Sequence, residues 1–293
     1  MKKVSLLLTL IFFITNNCFA LDWKPLHEKA DTQNLDMAKA AVQLKPDSIE
    51  SLYILGLVYL NLHEDYRAED IFKKILEVNP NTIEAKWGLA ESLRREHKLD
   101  VSERMLNEVL NSEPKFYPAY ISLAYIRYIN MDFQGAVKLA LKVMQQGRDN
   151  VDLSNYTRAY TMYAGASGMI AHYGGPISKA INGLAVKPNL DKAELLQPNS
   201  PAVLFGLGSF YLLAPRIVGG DKVKAEKYLK KAISVDPKLA GAYLRLAQLY
   251  KIKGNIKQYD VYIKKALEAD PKDEFVVDNI SGKCKFICVG GAE

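Results

Sequence analysis

The chain has 293 residues with 39 Lys and Arg against 33 Asp and Glu, a formal net charge of +6. Charges of both signs are mixed along its length rather than gathered into a basic stripe, which argues against a nucleic-acid partner. Four scattered histidines, with no His-Glu-x-x-His, Gly-x-Ser-x-Gly or P-loop order, give no catalytic or cofactor constellation.

Residues 1–20 read as a secretory leader. Lys2 and Lys3 open it, Val4 to Thr15 is a 12-residue apolar run, and Cys18-Phe19-Ala20 ends in the small residues a signal peptidase reads. The pattern predicts cleavage after Ala20 and export to the periplasm or medium. The run is short of the roughly 20 residues a spanning helix needs, and Thr15-Asn16-Asn17 is a poor lead-in for a lipid anchor at Cys18. The mature chain, 21–293, is expected not to span a membrane.

From residue 21 onward a period governs the chain. Pro46, Pro80 and Pro114, and again Pro237 and Pro271, stand 34 residues apart. Between them, large and small apolar residues recur in one frame. The unit ending at Pro80 carries Leu52, Leu55, Gly56, Tyr59, Ala68, Phe72 and Ile75, and the next carries Leu89, Ala90, Leu93, Ser102, Leu106 and Val109. The third has Tyr120, Leu123, Ala124, Ala136, Ala140 and Val143; the unit ending at Pro271 has Tyr243, Leu246, Ala247, Tyr250, Ile263 and Ala266. Small residues let two helices of a unit approach, large ones fill the seam to the next unit, and the proline stands where a helix stops.

The stretch 149–237 breaks the period. Helix-like patterns persist at Asp152 to roughly Ala171, at Asn189 to Gln197, at Leu207, Gly208 and Tyr211, and at Ala225, Leu229 and Ala232. The extra residues fall between paired helices, at 172–188 and 214–221. Each insertion holds Gly-Gly beside Pro or Asp, which suits sharp turns with positive φ; Asp221 stands where it would cap the helix from Lys222. Two readings stay open: the insertions fold together as a lip over a groove, or they are tolerated surface loops.

The period and these positions resemble the tetratricopeptide repeat family over about residues 36–275. The resemblance implies an all-α, right-handed superhelical solenoid of antiparallel helix pairs, about five to six repeats, two with inserted loops. On this scheme residues 21–47 are an N-terminal capping half-repeat and 48–148 three regular units. Two units with insertions follow at 149–237, then a last unit at 238–275 and a cap at 276–293. In the family the first helix of each pair lines a concave face. Carried onto this chain, that face presents Tyr53, Trp87, Tyr125, Tyr128 and Phe205, with a charged patch at Glu91, Arg94 and Arg95. Arg216, Gly219, Gly220 and Asp221 of the second insertion complete the candidate binding set. Aromatic groups of this kind suit a protein or peptide partner, and the arginines suit a carboxylate. A small apolar or anionic ligand is therefore the other class of partner.

His63 and His97 occupy the same place in successive units, the turn within the helix pair, and read as solvated. After the last repeat, Cys284 and Cys288 are the two cysteines of the mature chain. Outside the cytosol an even, close pair reads first as a disulfide; the spacing of four suits one turn of a helix, pinning a C-terminal cap. A copper or redox pair is the other reading.

These features point to a non-enzymatic binding scaffold of the cell envelope. The run Leu213 to Ala225 is also similar to a segment of the T components that accompany TRAP-type transporters, which implies the alternative of a small-molecule or lipid-binding component.

Overall fold

The computed structural model describes residues 21–289; the expected leader, 1–20, lies outside them. The described residues form fifteen α-helices and no strand. They are α1 (Trp23–Thr32), α2 (Leu35–Leu44), α3 (Ile49–Asn61), α4 (Asp65–Val78), α5 (Ile83–Arg95), α6 (Leu99–Ser112), α7 (Tyr117–Ile129), α8 (Phe133–Met144), α9 (Leu153–Tyr173), α10 (Pro176–Leu196), α11 (Pro201–Leu213), α12 (Lys222–Val235), α13 (Ala240–Ile252), α14 (Ile256–Ala269) and α15 (Glu274–Ile280). From α3 to α14 they pack as six successive antiparallel pairs, each also touching the next. No described helix is long and apolar enough to cross a membrane.

The seams follow from the recurring small residues. Ala68, Ala90, Ala124, Ala136, Ala140, Ala225, Ala232 and Ala247 are all fully buried. Phe72 of α4 shows the logic: it is fully buried, wedged between Gly56 of α3 and Gly88 of α5. A methyl group on Gly56 would sit 2.6 Å from the Phe72 ring, so glycine is needed there to admit the aromatic ring. Burying a side chain of that size contributes roughly 2–3 kcal/mol.

The turn within each regular pair needs one residue in the left-handed region. Gly254 fills it in the last unit at φ 73°, but His63, His97 and Met131 fill it in the first three, at φ 54°, 65° and 62°. A non-glycine residue here carries strain, and the two histidines turn out to have partners.

The first insertion is not a loop. Residues 172–188 extend both helices of their pair, making α9 and α10 21 residues each where α11 and α12 of the next pair have 13 and 14. Gly174 and Gly175 sit at φ −85° and −70°, not at positive φ, and Pro176 starts α10. Pro176 is accepted because the first turn of a helix needs no N–H. Pro188 lies inside α10, where the Asn189 side chain donates to Ala185 O at 2.7 Å. Small residues close the hairpin: Gly168 faces Val186, and Gly183 faces Ala171. The glycines and prolines that suggested turns therefore mark one tight corner and two helix positions.

The second insertion is a short connection with a single 3-10 turn, Arg216–Val218, ending at Gly219 with φ 106°. Asp221 caps α12, accepting from the N–H groups of Val223 at 2.9 Å and Lys224 at 3.1 Å. The connection folds back on its own helix, with Asp221 N donating to Tyr211 O at 2.8 Å.

Candidate functional site

The inner face formed by α3, α5 and α7 is covered by the chain's own N-terminal helix. Of the segment 21–47, α2 and α1 both pack on α3, but α1 also reaches α9. Its Trp23 meets Phe116 edge-on at 5.4 Å, and its His27 lies 5.0 Å from the Trp87 ring and 5.8 Å from that of Tyr53. Tyr53 and Trp87 are consequently buried, at 0% and 4% exposure. α9 contributes Asn155, whose amide donates to Asp152 Oδ2 at 2.9 Å and approaches His27 Nδ1 at 3.3 Å. Nδ1 therefore accepts, and Nε2 carries the proton that meets Tyr53 Oη at 2.8 Å. Burial pushes the His27 pKa down despite the nearby Asp152 and Asp31, keeping the ring neutral. Burial likewise raises that of Tyr53. The remaining space beside these groups, lined in part by Asp31, Arg95 and Arg158, is a cavity of about 30 Å³, the scale of one or two waters.

The charged patch is internally matched. Arg94 donates to both oxygens of Glu91, at 2.8 and 2.7 Å, and lies 4.3 Å over the Tyr125 ring. Ser122 donates to Glu91 Oε2 at 2.7 Å and accepts from the Trp87 indole N–H at 3.1 Å. Burial alone would raise the Glu91 pKa; the charge and hydrogen bonds of Arg94, aided by Arg95, outweigh it and hold it at about 2. Arg95 points elsewhere. It donates to Leu60 O at 2.7 Å, pairs with Asp65 at 2.9 Å and meets His63 Nδ1 at 2.7 Å.

The C-terminal half of the inner face holds the other end of the chain. Phe286 is buried, stacked on Tyr128 at 5.7 Å and against Phe275 at 4.8 Å. Arg245 donates to Phe286 O and Ile287 O, both at 3.0 Å, and Gln248 donates to Ile287 O at 3.2 Å. Asp278 accepts from Phe286 N at 2.9 Å. Cys284 and Cys288 bring their sulfurs together in disulfide geometry with Cα atoms 5.1 Å apart. They stand in the turns after α15, not on a helix: Cys284 has φ 54°. A helical spacing of four was the expected setting; the tail instead has to bend so that Phe286, between the cysteines, enters the core.

Between the two ends the solenoid closes on itself. His63 Nε2 bonds Asp236 Oδ2 at 2.9 Å, and Lys238 Nζ reaches His63 O at 3.0 Å. His97 bridges two carboxylates, Glu274 at 2.9 Å from Nδ1 and Asp270 at 3.0 Å from Nε2. Tyr125 donates to the second oxygen of Glu274 at 3.1 Å. These contacts join positions 149 to 177 residues apart. The histidines read as solvated from sequence are thus clasps, because the left-handed turn projects them toward the opposite end of the superhelix. The hydrogen bonds from Asp270 and Glu274 raise the His97 pKa to about 10. Its two acceptors lie on opposite ring nitrogens, the arrangement of a bonded imidazolium rather than a chelate.

Of the residues selected by the concave-face rule, Tyr53, Trp87, Glu91, Arg94, Arg95, Tyr125 and Tyr128 do come together. They form an interior that holds the chain's own ends, not an open groove. Phe205 joins the far side through Phe275 at 6.5 Å. Arg216, Gly219, Gly220 and Asp221 lie apart, on the connection after α11. Missed from the sequence were Trp23, His27, Arg245, Glu274 and Phe286. The spacing of Trp23 and His27, one turn apart in α1, is the signal that was available.

The geometry agrees with the comparisons. A family model for the tetratricopeptide repeat matches residues 49–82 and 240–273, the α3–α4 and α13–α14 pairs. These two helix pairs are tetratricopeptide repeats. Similar curated proteins include the TPR repeat-containing protein MJ1428 of Methanocaldococcus jannaschii, 24% identical over 84% of this chain and 36% of its own. Another is the protein O-mannosyl-transferase TMTC3 of Homo sapiens, 24% identical over 83% of this chain and 26% of its own. The repeat chain thus spans about a third or less of the length of these relatives.

Solved structures with the fold include Cut9–Hcn1 of the APC/C at TM-score 0.55 and 17% identity, covering 89% of this chain and 49% of that one. A tetratricopeptide repeat protein of Parabacteroides merdae has TM-score 0.52 and 14% identity, covering 87% and 96%. Human IFIT1, solved with m7Gppp-AAAA, has TM-score 0.53 and 20% identity, covering 80% and 55%. At these identities the likeness is one of fold.

Proposed function

We propose that this tetratricopeptide protein is a non-enzymatic binding scaffold of the cell envelope, exported through residues 1–20. Its inner face takes a helical segment of a protein partner in exchange for α1. The observation that carries this reading is α1 itself: an amphipathic helix seated by an aromatic and an imidazole anchor against Tyr53, Trp87 and Phe116. Helix-in-groove recognition uses anchors at this spacing, and α1 is joined to α2 through residues 33–34 alone. Outside the cytosol Cys284 and Cys288 are held as a disulfide, fixing the tail that covers the other half of the face.

The alternative of a small-molecule component needs a chamber at this face, and the cavity beside His27 and Trp87 measures only about 30 Å³, far below the size of an organic-ligand site. The transferase activity in the name of one relative belongs to a protein of which this chain matches 26%.

A photo-reactive residue at Asn61, an exposed position whose side chain reaches Ala30 O at 3.4 Å, tests the reading in the exported full-length chain. Adducts to a partner protein, increased by Trp23→Ala, are expected. Cross-links to α1 alone, with and without that substitution, would contradict the exchange.

A further inference from the structure

The lengthened α9–α10 hairpin has no place in the account above, and its surface is unusual. A helix pair extended by about two turns stands roughly 11 Å beyond its neighbours. On the projecting part of α10 the outward residues are Ile177, Ile181 and Leu184, exposed at 77%, 67% and 67%. Their spacing places them on one helix face. The next pair has its own insertion at the same kind of turn, hence on the same edge of the solenoid, and there Ile217 is 94% exposed.

The charges around these side chains are mostly positive. Segments 172–188 and 214–224 contain Lys179, Lys187, Arg216, Lys222 and Lys224 against a single carboxylate, Asp221. Asp221 is engaged as the cap of α12. Lys187 is paired with Asp191 of its own helix, and the other four are exposed. Tyr211 ties the two insertions together, with Lys187 Nζ 5.7 Å and Lys224 Nζ 5.3 Å from its ring centre. The hairpin is also braced from behind: Tyr173 stacks on Phe133 at 6.1 Å and donates to Lys285 O at 2.8 Å.

We infer that this edge is an interfacial anchor that inserts Ile177, Ile181, Leu184 and Ile217 into the surface of an anionic lipid bilayer. An exposed apolar stripe with a cationic margin is what such surfaces select: the aliphatic groups enter the upper acyl region by about 5–10 Å, and the cations meet lipid phosphates. The projection of the hairpin matches that depth. A protein partner would need no such excess of positive charge. The assignment is independent of the inner-face reading, because it concerns the outer edge of the solenoid.

Co-sedimentation of the mature chain with vesicles tests it, using phosphatidylcholine alone and phosphatidylcholine mixed equally with phosphatidylglycerol. Binding to the anionic vesicles is expected, at least about tenfold stronger than to the neutral ones and weakened by salt. Ile181→Asp with Leu184→Asp should abolish it, and Lys179→Glu with Lys222→Glu should weaken it more than about tenfold. Both pairs are exposed, so circular dichroism and the thermal transition should stay unchanged. In the Ile181→Trp chain, emission should shift to the blue on adding anionic vesicles. Absence of binding, equal binding to both vesicles, or binding indifferent to both double variants would overturn the inference. So would a wild-type dimer in solution that Ile181→Asp converts to monomer, since the stripe would then be a contact between copies.

Discussion

The His97 clasp makes a quantitative prediction. His97 Nε2 and Nδ1 each hold a carboxylate of the C-terminal end, and these bonds raise its pKa from 6.5 to about 10. One pKa unit is about 1.4 kcal/mol of preference for the charged form. The site is partly open to water, and after allowance for solvent screening the clasp contributes about 2 kcal/mol. The sign follows from linkage: a pKa raised on folding stabilises fully below the unfolded value, and the contribution is lost as pH rises from 6.5 through about 10. His97→Gln keeps a polar side chain at the left-handed turn but removes the charge. At pH 6 the variant should melt about 4 °C below wild type, taking roughly 2 °C per kcal/mol for a chain of this size. The gap should close progressively as pH rises above 6.5 and vanish above about pH 10. Differential scanning calorimetry of both proteins across this range is the assay. A gap of constant size, or none at pH 6, would refute the assignment of an imidazolium bridging two carboxylates.

Three further outcomes follow. Glu91→Gln leaves the Arg94 guanidinium without its carboxylate in a buried setting and should cost about 3–5 kcal/mol in urea unfolding, while Glu91→Leu with Arg94→Met should recover much of it; because the Glu91 pKa is depressed to about 2, the pair's contribution should be present above about pH 4.5 and lost as pH falls through 2. Asp273 caps α15 from a half-buried position where desolvation, with Glu274 and Asp270 nearby, raises its pKa to about 6; ionisation there costs stability as pH rises from 3.8 through 6, so Asp273→Asn should stabilise by about 1 kcal/mol at pH 8 and be neutral below pH 4, as read by thermal melts. Gly88→Ala drives a methyl group into the Phe72 ring and should destabilise by about 1–3 kcal/mol, with Gly88→Ala plus Phe72→Leu less harmful than the sum of the two.

The repeats were legible because their residues do the same task in each unit. Leu52, Gly56, Ala68 and Phe72 recur as a seam whose chemistry is local, so period and residue size sufficed. What was not legible depends on curvature. A concave position is the same in every unit, but whether it stays open depends on how tightly the superhelix turns and on what the ends do. Tyr53 and Trp87 follow the period, yet the groups that meet them, His27 and its neighbour Trp23, belong to a helix outside it. His63 and His97 looked solvated because their acceptors lie some 175 residues away. The Gly174-Gly175-Pro176 run was read as a loop because its breakers cluster; in fact one corner uses them all, and Ile177, Ile181 and Leu184 have ordinary helical spacing that the glycines and prolines concealed.

Closure of the solenoid is the feature on which the buried inner face, the clasps and the exchange of α1 all depend. Nitroxide labels at Leu62 and Lys238, replaced by cysteine in the chain with Cys284 and Cys288 oxidised, measure it directly through dipolar broadening of the continuous-wave resonance spectrum at short range and double electron–electron resonance at long range. Lys238 Nζ lies 3.4 Å from Leu62 O, so a single narrow distribution at contact range is predicted. A broad distribution centred well beyond contact, unchanged between pH 6 and pH 10, would contradict a solenoid closed upon its own ends.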